Sequence, residues 1–179
     1  IVNNIVYAQG AIQKIDNAAD LQVALNNATN DTQTVIQLTN DIKGNIIVDQ
    51  NPKAKIVIDG NGKVFAGSIV VDGNSATITS AGLTIQNVVF KADSIDADAC
   101  IRLGDGTNAT RYIFNVTVNN CTFDVPGAVG VKSYTGGDKN IVIKNCTATE
   151  NAHSLVQLKG VDGVLVEACE VYSKNGLNF

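Results

Sequence analysis

The sequence lacks the large side chains that fill most globular cores. It contains no Trp and no Met, and aromatic residues make up only 5% of the chain. A core must therefore be built from Ile, Val, Leu and Ala, which suit a narrow, stacked interior. Hydrophobic residues still account for 45% of the 179 residues, which is enough for one domain with its own core.

Membrane spans and basic patches are missing as well. No apolar run approaches the ~18 residues that a membrane-spanning helix needs. The net charge is −4 and the Lys and Arg residues are scattered, so nucleic acid is not an expected partner. The chain begins with Ile1 and not with Met, which indicates a removed leader or a piece of a longer protein.

Motifs of nucleophilic enzymes are absent from the printed sequence. It has no Gly-x-Ser-x-Gly element, which would place a serine on a sharp turn for attack. His153 is the one histidine, and Ser154 beside it does not make the spacing of a triad. We interpret His153 as a surface or loop residue that contacts solvent or ligand.

One eight-residue motif occurs four times. Apolar and polar residues alternate at its start, the pattern of a strand with one buried face. Successive copies begin 33, 25 and 23 residues apart. Periods of about 20–50 residues indicate a solenoid, whose repeats bury their apolar faces only by stacking. The copies are LTIQNVVF (83–90), VTVNNCTF (116–123), IVIKNCTA (141–148) and VLVEACEV (164–171).

The fifth position of the motif predicts a sharp corner. It is occupied by Asn87, Asn120 and Asn145, with Ala168 as the departure. Asn is among the few non-glycine residues that tolerate a left-handed backbone. We expect Gly60 to take this place one copy earlier. Short β-rich segments joined by Gly, Asn and Asp corners predict an all-β parallel β-helix.

These features together resemble the right-handed parallel β-helix of the pectin-lyase-like superfamily, over about residues 16–179. Each single turn of such a solenoid is called a rung. The segment IVIDGNGKVF (56–65) is similar to the opening rungs of many such chains. The resemblance implies a right-handed solenoid with an asparagine ladder at one turn. The segments KSYTGGDKNIVIKNCTA (132–148) and HSLVQLK (153–159) are more similar to gut-bacterial and phage β-helix proteins than to plant-cell-wall enzymes.

Three of the four cysteines recur at the sixth position of the motif. They are Cys121, Cys146 and Cys169, and Val88 fills the position in the copy before. Stacked residues have parallel Cβ atoms about 4.8 Å apart, longer than the ~3.8 Å that a disulfide prefers. We therefore predict a buried ladder of free thiols that act as small hydrophobic side chains. A disulfide and a metal or catalytic role are the alternatives.

The N-terminal part of the chain is predicted to cover one end of the solenoid. Residues 1–33 are expected to form a lead-in strand and a short amphipathic helix, N-capped by Asp16 or Asn17, that covers the first rung. Residues 34–179 are assigned to the β-helix.

At the C-terminal end, Leu177 and Phe179 have the character of inward-facing residues with no polar cap after them. We expect the β-helix to continue, or another subunit, as in a homotrimer, to cover this end.

The longest excursion between copies, residues 91–115, points to a binding flank, because solenoid insertions project as loops on one side. If the next repeats stack in register, five polar side chains share this side of the rod. These candidate ligand-binding residues are Arg102, Lys132, Tyr134, His153 and Gln157.

The same excursion contains the acidic cluster Asp93, Asp96 and Asp98. Carboxylates on one loop can supply the oxygen ligands of Ca²⁺, although the spacing is not that of an EF-hand. A calcium site and solvated loop charges are both open readings, and no other cofactor is expected.

The sequence favours a function without catalysis. It has none of the N-T-D, D-D, G-H-G and R-I-K elements of polygalacturonase-like hydrolases, and neither Arg102 nor Arg111 has the R-x-x-P context of pectate-lyase-like enzymes. We expect a structural or adhesive module of an extracellular, cell-surface or virion protein, such as a phage fibre, with a glycan-binding flank. The alternative is a lyase or hydrolase of uronic-acid polymers, with Arg102 or Lys132 as base.

Overall fold

The structure of the chain is a computed structural model that describes residues 8–49, 54–73, 82–104, 112–134 and 136–172. Among these residues no helix has the length and apolar character needed to cross a membrane. The helix in these ranges is α1 (Ala18–Asn26). The strands are β1 (Ala8–Ile15), β2 (Thr32–Leu38), β3 (Ile42–Lys43), β4 (Ile46–Asp49), β5 (Ile56–Asp59), β6 (Val64–Ala66), β7 (Ile69–Asp72), β8 (Leu83–Gln86), β9 (Val89–Lys91), β10 (Ala99–Leu103), β11 (Phe114–Asn119), β12 (Thr122–Asp124), β13 (Val129–Ser133), β14 (Lys139–Lys144), β15 (Thr147–Ala148), β16 (Ser154–Gln157), β17 (Asp162–Glu167) and β18 (Glu170–Val171).

The strands form three parallel sheets around one core. Sheet A has the order β1-β2-β5-β8-β11-β14-β17, sheet B the order β3-β6-β9-β12-β15-β18, and sheet C the order β4-β7-β10-β13-β16. From β2 onward, each turn of the chain adds one strand to sheet A, then to B, then to C. The described residues complete about six turns, so the predicted parallel β-helix is confirmed.

Like side chains stack because equivalent strands pair in register. One inward column in sheet A consists of Ile36, Ile58, Ile85, Val118 and Ile143. In sheet B the rings of Phe65, Phe90 and Phe123 stack with centroids 5.6 and 5.3 Å apart. Each fully buried side chain of this size contributes roughly 1.5–3 kcal/mol, so these three phenylalanines make a large part of the core along sheet B.

The N-terminal end of the rod is covered by β1 and α1. Strand β1 extends sheet A beyond the first turn by pairing with β2. Asn17 caps the helix, because its Oδ1 accepts the Asp20 N–H at 2.9 Å. Leu21 and Leu25 point into the core. The Gln22 side chain donates to the Ile47 carbonyl at 2.8 Å and accepts from the Ile47 N–H at 2.9 Å. Ile47 lies on the edge strand of sheet C, so the helix shields an unpaired edge.

The corner after each of the later sheet A strands is made by one left-handed residue. These residues are Asn87, Asn120, Asn145 and Ala168, with φ between 50° and 55°. Asn120 Nδ2 donates to Asn87 Oδ1 at 2.8 Å, and Asn87 Nδ2 donates to Asp59 Oδ1 at 2.9 Å. The amides form a ladder that ends on a carboxylate, while Asn145 Nδ2 turns to Asn119 Oδ1 at 2.9 Å.

The expectation for Gly60 is wrong. The left-handed residues of the earlier corner are Asn61 and Gly62, with φ of 52° and 73°. This corner has four residues between β5 and β6, whereas the next has two between β8 and β9. Gly60 is needed for close packing instead, because a Cβ there would lie 2.6 Å from Val88 Cγ2.

The recurrent cysteines line up just after the corner. The Cys121, Cys146 and Cys169 thiols donate to sheet A carbonyls of the rung below, those of Ile85, Val118 and Ile143, at 3.7–3.8 Å. All four cysteines, including Cys100, are free thiols. Burial raises the pKa of Cys100 to about 12. A hydrogen bond with Cys146 and burial raise the pKa of Cys121. The expected inward residues Leu177 and Phe179 lie outside the described residues.

Replacing Asn87 tests the corner. Asn87→Ala is expected to lower the free energy of unfolding by about 2–3 kcal/mol, because it loses two amide hydrogen bonds and places a Cβ-bearing residue without a local hydrogen bond at positive φ. Asn87→Gly loses the same hydrogen bonds without the steric strain, so it should be about 0.5–1 kcal/mol more stable than Asn87→Ala. Urea unfolding measures both. An alanine variant as stable as the glycine variant would contradict the left-handed corner.

Thiol labelling tests the cysteine column. In the native protein a thiol reagent should react slowly with the half-buried Cys169 and leave the other three untouched, because those are at most 1% exposed. All four should react in denaturant. Cys169→Ala should abolish native labelling. Rapid native labelling of Cys121 or Cys146 would rule out the buried column.

Candidate functional site

The outer face of sheet C carries a column of long polar side chains. Arg102 on β10 pairs with Lys132 on β13, and Lys132 pairs with Gln157 on β16. Ile101 and Leu103 point into the core, so the two-residue period of the strand sends Arg102 outward. Because paired strands lie about 4.8 Å apart, the three polar side chains project side by side from one rigid sheet.

Asp98 approaches this column from the loop before β10. Its Oδ2 accepts Lys132 Nζ at 2.7 Å, and its Oδ1 lies 3.8 Å from Arg102 Nε. The Tyr134 hydroxyl donates to Asp98 Oδ1, and Arg102 Nε donates to the Tyr134 hydroxyl oxygen at 3.0 Å. We call Asp98, Arg102, Lys132, Tyr134 and Gln157 the sheet C cluster.

Two cations of the cluster share one aromatic ring and one carboxylate. Arg102 Cζ lies 4.7 Å and Lys132 Nζ lies 5.2 Å from the centroid of the Tyr134 ring, within the range of cation–π attraction. The side chains of Arg102 and Lys132 are 25% and 26% exposed. The two cations outnumber the one carboxylate, Asp98. The cluster therefore carries a net positive charge, although the chain is negative overall.

The protonation states in the cluster follow from these contacts. Burial alone would raise the pKa of Asp98, but hydrogen bonds from Lys132 and Tyr134, together with the charges of Lys132 and Arg102, lower it overall. Burial and the hydrogen bond to Asp98 raise the pKa of Tyr134 to about 12. At neutral pH the cluster therefore holds an ionised carboxylate and a neutral phenol.

The predicted acidic cluster is divided in the structure. Asp93 and Asp96 are exposed in the loop that leads to Asp98, while Asp98 itself is engaged with Lys132. In the part of the chain that the structure describes, no three His, Cys, Asp or Glu side chains converge as a metal ion would require. The calcium site stays a prediction.

His153 stands apart from the other predicted ligand-binding residues. It lies just before β16, where its backbone N–H donates to the Ala128 carbonyl at 2.9 Å. Gln157 follows four residues later, roughly 13 Å along an extended strand. The register thus brings Arg102, Lys132 and Gln157 together, with Tyr134 beside them, and leaves the exposed His153 at the other end of the sheet.

Sequence reasoning missed two features of this surface. It grouped Asp98 with Asp93 and Asp96, whereas the structure pairs Asp98 with Lys132, 34 residues later. It also missed a second column of left-handed residues, which stands one residue before the first apolar residue of each motif copy. The column is Gly82, Asn115, Asn140 and Gly163, with φ of 120°, 56°, 56° and 76°. The recurrence of Gly or Asn at that position was the available signal.

The family model described as "Right handed beta helix region" matches residues 67–179. The chain therefore belongs to the right-handed β-helix family, and the predicted right-handed parallel solenoid with a short helix near its N-terminus is confirmed. No curated protein and no solved structure matches the chain significantly.

Replacing Lys132 tests the electrostatics of the cluster. Lys132→Met should raise the pKa of Asp98, because it removes a hydrogen bond and a positive charge. Carboxyl NMR titration measures the shift, and Lys14→Met on the exposed face of β1 is the control.

The sign of the effect on stability follows from the same pKa. A lowered folded pKa means that the Asp98 contacts stabilise the fold above the ordinary carboxyl range and lose this effect as pH falls through the folded pKa. The loss in Lys132→Met at neutral pH should be at most about 1 kcal/mol, because the carboxylate is half exposed. An unchanged Asp98 pKa would contradict the pairing.

Proposed function

We propose that this member of the right-handed β-helix family is a non-catalytic module of an extracellular, cell-surface or virion protein, such as an adhesin or a phage fibre, and that its sheet C cluster binds a glycan. The observation that carries the proposal is the in-register placement of Arg102, Lys132 and Gln157 beside Tyr134 on one rigid face.

The cluster offers the groups that recognise a sugar. Guanidinium, ammonium and amide groups donate hydrogen bonds to hydroxyl and ring oxygens, and the two cations favour a carboxylate or sulfate. Val70 and Ile47 continue the same outward column toward the N-terminus, and they supply apolar surface for the C–H face of a sugar ring. Because Tyr134 and Asp98 already hold the ends of Arg102 and Lys132, these two side chains lose less conformational freedom on binding.

The contacts of the cluster argue against a role in proton abstraction. Lys132 Nζ already donates to Asp98 Oδ2 at 2.7 Å, and a lysine ammonium has no lone pair to accept a proton. The Tyr134 pKa of about 12 keeps its phenol neutral. Both observations support a binding module over the alternative, a lyase of uronic-acid polymers.

Glycan-array binding tests the proposal. The wild-type protein should bind acidic glycans, and its binding should weaken as salt is added. The double variant Arg102→Gln/Lys132→Gln should bind at least about tenfold more weakly, since each charge-assisted hydrogen bond contributes roughly 1.5–3 kcal/mol. Lys14→Gln is the matched control and should bind like wild type. Equal binding by the double variant would overturn the assignment of the site.

An activity assay separates the module from an enzyme. Uronic-acid polymers incubated with the protein, with and without calcium, should give no unsaturated product. Appearance of that product would overturn the non-catalytic proposal in favour of a lyase. Light scattering then measures the oligomeric state, and a homotrimer would support the fibre setting.

A further inference from the structure

We infer that a groove on the outer face of sheet A is a second binding site, and that it takes a neutral, extended polysaccharide. The groove has a volume of about 330 Å³ and runs along the rod from Lys55 past Gly82 and Asn115 to Asn140. It is separate from the sheet C cluster and does not depend on the function proposed for that cluster.

The floor of the groove carries two threonine side chains, of which Thr117 is half-buried and Thr84 is 9% exposed. Thr84, Thr117 and Val142 lie in register on neighbouring strands β8, β11 and β14, and all three line the groove. Within the described ranges, neither threonine hydroxyl makes a hydrogen bond. Because the rungs repeat about every 4.8 Å, the floor offers one polar or methyl-bearing contact per rung, a spacing close to the length of one sugar unit in an extended chain.

One wall of the groove is made of amides. Asn115 and Asn140 both have φ of 56°, and Asn140 Nδ2 donates to Asn115 Oδ1 at 3.0 Å. Gly82 takes the equivalent place in the rung below, where it leaves a notch. A side chain cannot fill this notch, because φ is 120° and a Cβ would lie 2.9 Å from the Asn115 carbonyl oxygen. The amide wall with its notch is thus fixed by the backbone.

The charge of the groove selects the class of ligand. Lys55 is the one charged side chain among its lining residues, which include no carboxylate. A nucleic acid needs several cations for its phosphates, and Lys55 alone gives little electrostatic preference for an acidic polysaccharide over a neutral one. The amides of the wall and the hydroxyl and methyl groups of the floor match the hydroxyls and C–H faces of neutral sugars.

A peptide strand is also a poor fit. An extended peptide binds to a β-sheet by pairing with a free edge strand, whose backbone N–H and C=O groups are unpaired. Strands β8, β11 and β14 are each paired on both sides, so the groove offers side chains alone. Its volume lies at the lower end of the ~300–1,000 Å³ of small-ligand pockets. One or two sugar units therefore occupy it while the chain continues into solvent.

NMR mapping with neutral oligosaccharides tests the inference. Oligomers of β-1,4-glucose, α-1,4-glucose and N-acetylglucosamine, added to millimolar concentration, should shift the side-chain amide signals of Asn115 and Asn140 and the backbone signals of Thr84 and Thr117 for at least one oligomer. Absence of shifts with all three would overturn the inference. Shifts at these positions with oligogalacturonate alone would also overturn it, because the ligand would then be acidic.

Matched variants locate the binding. Thr84→Val/Thr117→Val removes both hydroxyls while keeping side-chain shape, and it should weaken binding about tenfold. Thr122→Val/Thr147→Val is the control, because these threonines form an equivalent in-register pair on sheet B. Unchanged affinity in the sheet A variant, or equal loss in both variants, would overturn the site. The signals of Thr84 and Thr117 separate this site from the sheet C cluster, because both residues lie on sheet A.

Discussion

Backbone hydrogen bonds between equivalent strands of successive turns determine which side chains lie above one another. A shift of one residue would send the inward column of Ile58 and Ile85 into solvent and the outward Arg102 and Lys132 into the core. Burying those charges without partners would cost several kcal/mol each. The register that fills the interior with Ile, Val and Phe therefore also aligns the polar groups on the outside. In this fold the geometry of the surface follows directly from the packing of the core.

The corners allow this register to continue from turn to turn. Each left-handed residue changes the chain direction within two residues, and a side chain with a Cβ pays about 1–2 kcal/mol for that conformation unless it gains a local hydrogen bond. Asn87 and Asn120 offset this cost with a hydrogen bond between their amides on successive turns. Asn115 and Asn140 do the same at the opposite end of sheet A. Sheet A is thus bounded by two amide columns, which makes its outer face a shallow trough.

The sequence predicts whatever repeats with the rungs. Alternation and spacing predict the strands, and residues that recur in three of the four copies predict the Asn corners and the cysteine column. Features that occur in one turn alone cannot be predicted from the repeat. The extra residues at Asn61 and Gly62 lengthen one corner without changing the motif. Asp98 comes from a loop outside the ladder. Asp138, in the loop before β14, is fully buried with its Oδ1 accepting the Ile113 N–H at 2.9 Å, and burial raises its pKa to about 6.

The two candidate binding surfaces differ in how closely they are tied to the fold. The sheet C cluster consists of outward side chains and a loop carboxylate, and substitutions at such surface positions usually change stability by less than about 0.5 kcal/mol. Its ligand preference is therefore free to change while the rod persists. The groove on sheet A uses Gly82 and Asn115, whose conformations also hold the corners, so a change of ligand there also disturbs the turn.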